Sequence, residues 1–409
     1  MQNYFYFVGT AIPLELTAFY SMVRFWDTNP AHGAIYIAAF IVALLLLNLF
    51  GVRWFGNSEI FFASLKIILA VGLIIGGLVI SLGGGPDHKI VLLIVLEPGA
   101  TGRFLGILVA ITPAAFSLSG IELISITAAE AQQPRTNIIK AMRTVIFRLI
   151  FFYIASVIVV GMVVPSNNQA LLRPGASAAQ SPFVIAFQMA GVKVLPSIIN
   201  AVLITSAFSA SNTFVFSGSR ILYGLAVQNK APKIFTTCTR NGLPWVAVIA
   251  AWLFSFLAFM VVSTASATVF NWFVSLATMA GFIGWISLNT TYLRYYYGLR
   301  RQGIVPRGIY RSPLQPYASI WAIFWIPFYI LLNGISVFWD WSASKFVAAY
   351  ISLPIFLLLF IGYKLWYKTK ILPLAELDFV SNIPTLEETG DEELLLEKTS
   401  FAKKLRELI

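Results

Sequence analysis

Ten stretches of this chain, roughly 3–26, 33–51, 58–82, 105–129, 140–164, 194–225, 244–263, 269–293, 317–338 and 346–367, are long and apolar enough to cross a ~30 Å hydrocarbon core. That pattern leaves lipid as the solvent in which the chain folds. Inside a bilayer every backbone polar group must be satisfied within the protein, so runs of this length form helices. The expected fold is therefore an all-α polytopic membrane protein with ten transmembrane helices. A content of 58% hydrophobic and only 11% charged residues agrees, because soluble domains carry about twice that charge.

The net charge of +11 would indicate a nucleic-acid partner in a soluble protein, but here it is read from where the basic residues fall. Connections after the even-numbered spans carry Arg53, Arg135, Lys140, Lys230, Lys233, Arg240, Arg294, Arg300, Arg301, Arg307, Arg311, Lys368 and Lys370. Those after the odd-numbered spans hold only Lys89, Arg103, Arg173, Lys193 and Lys345. The positive-inside rule assigns the first group to the cytosol, and with it Met1 and the C-terminus. Arg24 is the clearest exception. No basic region precedes the first apolar run, so no cleavable signal peptide is expected. The single Cys238 excludes an internal disulfide or a cysteine metal site, and His32 and His88 fall in short polar connections. No cofactor, metal or nucleic-acid partner is expected. No nucleophile–base pair or phosphate-cradling loop points to an enzyme.

Within the apolar spans a few charges need a reason, since a charged side chain deep in a bilayer costs about 3 kcal/mol or more. The fourth span reads Phe116-Ser117-Leu118-Ser119-Gly120-Ile121-Glu122, and Glu122 lies about 12 Å from Glu130 at 1.5 Å per residue. On the third span, Lys66 lies at a similar depth. Two readings of the pair are open: groups that take up and release protons, or a structural pairing that ties helices together. Glu15, midway through the first span after Pro13, is a third buried carboxylate with the same two readings. Ser117, Ser119 and Gly120 either let neighbouring helices approach closely or mark a helix break. A break would leave carbonyls free for an ammonium and amides free for a carboxylate. The patch Ser206 to Asn212 on the sixth span is read mainly as packing, with Asn212 a weaker ligand candidate. Most tryptophans are expected in interfacial belts. Trp285, inside the eighth span, is retained as a candidate pocket wall.

These residues resemble the fungal amino acid permeases of the amino acid–polyamine–organocation superfamily. The resemblance rests on the stretch from Phe116 to Glu122 followed by Ala129-Glu130, Pro134-Arg135 and Ile139-Lys140-Ala141. Pro13-Leu14-Glu15-Leu16, Asn48 to Val52, Glu59 to Lys66, Gly83 to Pro86, Ser181-Pro182-Phe183, Ser219-Arg220 and Phe270-Asn271-Trp272 follow in family order. The resemblance implies a five-plus-five inverted repeat (LeuT-like) followed by two further helices, working as a proton:amino acid symporter by alternating access at the plasma membrane. It implies that the backbone around Phe116, Ser117, Ser119, Gly120 and Ile121 receives the substrate ammonium. Glu122 would titrate beside it, and Lys66 would match a lysine whose ammonium occupies the place of a sodium ion. Asn212 and Trp285 would help select the side chain. The implied partners are an amino acid, protons and the lipid bilayer. On this alignment Met1 falls at the start of the family's third helix, so the expected permease domain, 1–370, corresponds to helices 3–12. A cytosolic tail, 371–409, is expected, read mainly as solvated and without fixed structure and alternatively as ending in a short helix whose basic end touches anionic inner-leaflet lipid. A non-transporting amino acid sensor and an inactive fragment remain alternatives.

Overall fold

The computed structural model describes residues 2–84, 100–126, 131, 133–164, 168, 181–304, 312, 314–339, 341–379 and 381. Glu130 and the tail beyond Ser381 lie outside the described residues. Among the described residues the chain is helical: α1 (Gln2–Val23), α2 (Gly33–Leu49), α3 (Val52–Ser81), α4 (Ala100–Leu118), α5 (Pro134–Leu149), α6 (Ala155–Val163) and α7 (Pro182–Met189). They are followed by α8 (Leu195–Val227), α9 (Trp245–Trp252), α10 (Met260–Ser263), α11 (Ser266–Arg301), α12 (Tyr317–Leu332), α13 (Ala343–Tyr350) and α14 (Ser352–Trp366).

Among the described residues, seven helical units are long and apolar enough to span a membrane, and eight if α13 and α14, bent by 43°, count as one span. This differs from ten for physical reasons. The 3–26 span is α1, which carries Glu15, Thr10 and Thr17 and so is more polar than a lipid-facing helix. It occupies the centre of the bundle, with Phe7, Val8, Ile12, Leu14 and Leu16 all at most 1% exposed. Its hydroxyls can be buried because Thr10 donates to the Phe7 carbonyl at 2.8 Å and Thr17 to that of Leu14 at 2.7 Å. The 317–338 span divides into α12, of 16 residues, and a short turn, Ile335–Phe338. The third and fifth spans begin earlier than their apolar runs, at Val52 and Pro134. A short helix absent from the expected spans, α7, buries Val184, Ile185, Ala186 and Phe187 against α3 and α8.

Around α1 pack α8 and α11, with α2 and the turn Leu253–Phe259 completing the main core. The peripheral helices bury little of themselves: only 6% of the most apolar window of 134–163 lies inside the protein. Ile146, Phe147, Ile150, Phe151 and Val157 are accordingly exposed, as hydrocarbon-facing side chains are.

Two features lie at opposite ends of the bundle. In the connection after α1, His32 Nδ1 lies 2.6 Å from Asp27 Oδ2, the Asn29 amide donates to Asp27 at 2.9 Å, and the Tyr36 hydroxyl donates at 2.8 Å. The His32 ring, then these other donors, hold the Asp27 carboxyl down at about 2. Because this pKa is lowered on folding, its support for the turn is present above the ordinary carboxylate range and fades as pH falls toward 2. An NMR titration should give that midpoint, with His32→Ala moving it up toward 3.8.

At the other end, residues 372–379 run back across the last turns of α11, so the chain past 370 is not free of structure. Arg294 donates to the Leu372 carbonyl, and Gln302 Nε2 donates to those of Leu374 and Leu377 at 3.1 and 2.9 Å. The Phe379 ring meets Tyr295 edge-on at 5.6 Å. Gly298 makes this approach possible, since a Cβ there would lie 2.7 Å from Phe379 and 2.8 Å from Leu377. Gly298→Leu should therefore cost about 1–3 kcal/mol at this contact and detach the strap. Limited proteolysis should then cut within 372–379 while the helical bundle stays intact.

Candidate functional site

The fourth span breaks where its sequence changes from apolar to small. In α4 the Ser117 hydroxyl donates to the Pro113 carbonyl at 2.9 Å and that of Ser119 to Ala115 at 3.1 Å. The Ser119 amide then tightens onto the Phe116 carbonyl at 2.9 Å. Gly120 follows at φ +93°, a left-handed conformation, and a short 3₁₀ turn, Ile121–Ser125, carries the chain onward. Conformation rather than space requires the glycine, because an added Cβ would meet only Leu123, at 3.5 Å. Close packing contributes as well: Ser119 Oγ would lie 3.4 Å from a Cβ at Gly281 of α11. Phe116 is half-buried against the main core, and Ser117 is exposed. The Ser117 carbonyl accepts from the Tyr153 hydroxyl at 2.7 Å. Tyr153 lies in a π-helical segment, Ile150–Ile154, between α5 and α6.

Beyond the break, Glu122 faces Tyr4 of α1. Glu122 Oε1 and Tyr4 Oη are both buried without a hydrogen-bond partner. Both line a cavity of about 590 Å³. One wall is the start of α1 from Gln2 to Tyr4, with Asn3 fixed by its bond to the Ala280 carbonyl at 2.9 Å. A second wall is α11 at Gly284, Ser287, Leu288 and Thr291, and a third is α14 at Phe356, Leu359 and Phe360. Lys364 and Lys370, both exposed, also line it, while Glu122 presents a buried carboxylate oxygen. The volume falls in the range of small-ligand sites.

Lys66 belongs to a different centre. Its ammonium donates to Ser209 Oγ at 2.7 Å and lies 3.6 Å from Glu59. Ser209, fully buried on α8, donates in turn to Glu59 Oε2 at 2.6 Å. Glu15 is within electrostatic reach of Lys66 from α1. The structure thus brings Lys66 and Glu15 together, pairs Lys66 with Glu59 and sets Glu122 opposite Tyr4. Asn212 is fully buried and accepts from Asn48 at 2.8 Å, tying α8 to α2. Trp285 is not among the residues around the Glu122 cavity. It packs on the other face of α11, its ring 5.9 Å from Phe282, in the cluster with Ile326 and Ile330.

Two participants were not foreseen. Glu59 precedes Lys66 by two helical turns and so shares its face, a spacing that could have revealed it. Tyr4 carries no comparable signal, since an aromatic residue at the start of a span reads as an interfacial anchor. Among the described residues, no group of three or more His, Cys, Asp or Glu is placed to hold a metal.

A bundle of apolar helices with a broken span, a carboxylate at the break and a small-molecule cavity defines the class of multi-pass membrane transporters. The chain belongs to the amino acid permease family, whose profile matches residues 2–376. It is 39% identical over 384 residues to the proline-specific permease of Emericella nidulans, covering 90% of this chain and 70% of that one. It is 41% identical over 382 residues to a probable proline-specific permease of Schizosaccharomyces pombe, covering 89% and 69%. With the general amino-acid permease of Saccharomyces cerevisiae it shares 32% identity over 375 residues, covering 87% and 61%. These relatives are permeases and not enzymes.

Proposed function

We propose that the chain imports amino acids by proton symport and alternating access, with the cavity beside Glu122 as the substrate route. The observation that carries this reading is the break at Gly120, which sets the unpaired Glu122 Oε1 opposite Tyr4 Oη in a cavity of about 590 Å³, ample for an amino acid. Phe116, Ser117, Ser119, Gly120 and Ile121 are not among the residues that line this cavity, so Glu122 is the part of the break that a substrate in it meets. Glu122 carries the proton, and Lys66 with Glu59, Ser209 and Glu15 forms the second charged centre that moves with the cycle. The apolar wall of Phe356, Leu359 and Phe360 and the names of the first two relatives favour a small neutral amino acid such as proline. The basic residues Arg294, Arg300, Arg301, Lys364 and Lys370 support a cytosolic orientation for the end of the bundle where Lys364 and Lys370 line the cavity, with the chain in the plasma membrane.

The test is accumulation of labelled proline by proteoliposomes under an imposed proton gradient. Uptake that ignores the gradient would remove the symport, and no uptake of any labelled amino acid would remove the transport reading.

A further inference from the structure

A second cavity, of about 430 Å³, lies at the opposite end of α11. Thr268, Trp272 and Ser275 line it, on average about 26 Å along the helix from Ser287 and Thr291 at 1.5 Å per residue. Asn333, after α12, and Lys345, on α13, face it from the other side.

Two polar atoms of opposite sense are buried there without a partner: the Trp272 indole N–H, a donor, and Asn333 Oδ1, an acceptor. Asn333 cannot turn to hide its oxygen. Its Nδ2 donates to the Ala349 carbonyl at 2.9 Å, and a flipped amide would set oxygen against oxygen. The wall itself is fixed, because Gly334 packs so closely that a Cβ there would lie 2.6 Å from Ala349 and 2.7 Å from Tyr350. The Tyr350 hydroxyl also holds the Leu331 carbonyl at 2.8 Å. A preformed cavity lined by an indole donor, a lysine and a fixed amide acceptor matches an anionic oxygen group and an ammonium on one small molecule.

We propose that this cavity is a second binding site, distinct from the one beside Glu122, for an ammonium zwitterion of amino-acid size. The anionic group is received by Trp272 and Lys345 and the ammonium by Asn333. The choice of a free amino acid as occupant rests on the transport reading above, and a phosphoethanolamine lipid headgroup has the same chemistry.

Equilibrium binding of labelled proline to the full chain in phosphatidylcholine nanodiscs distinguishes the cases. The expected result is two equivalents. Trp272→Phe, which keeps the ring and loses the donor, should weaken the second about tenfold, and Lys345→Gln should do the same if the first variant folds poorly. Glu122→Gln should weaken only the first. Loss of the second equivalent when phosphatidylethanolamine is added supports the site with a lipid occupant. A single equivalent abolished by Glu122→Gln, or two equivalents unaffected by both Trp272→Phe and Lys345→Gln, overturns the second site. Retention of both equivalents in Glu122→Gln overturns the role of Glu122 and leaves the second site standing.

Discussion

Glu122→Gln should abolish gradient-driven accumulation of substrate and flatten its pH dependence, while leaving the folded protein intact. The substitution preserves the size of the side chain and removes only its charge and its exchangeable proton. Glu122 sits in a short 3₁₀ turn after a break held by Gly120 and not by the carboxylate, so the local backbone has no need of the charge. The contact it offers a substrate ammonium is charge-assisted, about 2 kcal/mol in stability of the bound state, or a roughly thirtyfold loss of affinity. Proteoliposome uptake at several pH values, with a thermal-unfolding control, checks both parts. Unchanged accumulation and an unchanged pH profile would remove Glu122 from the mechanism.

Lys66→Met should act on the fold as well as on transport. The ammonium donates to Ser209, lies beside Glu59 and is within electrostatic reach of Glu15, and removing it leaves both carboxylates in the bundle without their cation. Breaking a fully buried pair costs about 3–5 kcal/mol. Because Lys66 and Glu59 side chains each keep 31% of their accessible surface, roughly 2–3 kcal/mol is expected here. Glu59→Gln in the Lys66→Met background should recover much of that loss without restoring transport. Thermal unfolding of the two variants in detergent reads the stability, and equal stability of single and double variants would mean that the pair is not coupled.

The membrane class and the broken fourth span were legible because each depends on a local property. Apolar length alone defines a span, and a glycine flanked by serines next to a carboxylate defines a break. Which face of each span meets protein was not legible. In α2, Ile37, Ile41, Leu44 and Asn48 are buried while Ile35, Val42, Leu46 and Leu49 are exposed, yet both sets are almost entirely apolar. In water the two faces of a helix differ in polarity; in lipid that contrast disappears. The same ambiguity left Trp285 only a candidate pocket wall, and it packs with Phe282 and Ile326. Glu59 lay within the recognised stretch ending at Lys66, but its pairing through Ser209 joins positions 150 residues apart, which no local pattern encodes.

The central position of α1 has a consequence for how the protein is made. Its side chains are completed by partners far along the chain: Asn3 bonds a carbonyl 277 residues later, and Tyr6 pairs with Ser352, 346 residues later. Contacts of such high order form slowly, because a large loop must close before they contribute. During synthesis α1 therefore enters the bilayer well before α8 and α11 exist to enclose it. Glu15, Thr10 and Thr17 must be sheltered in the meantime by the insertion machinery or by a chaperone. The helix at the centre of the finished protein is thus the one that waits longest for its partners while the chain is being built.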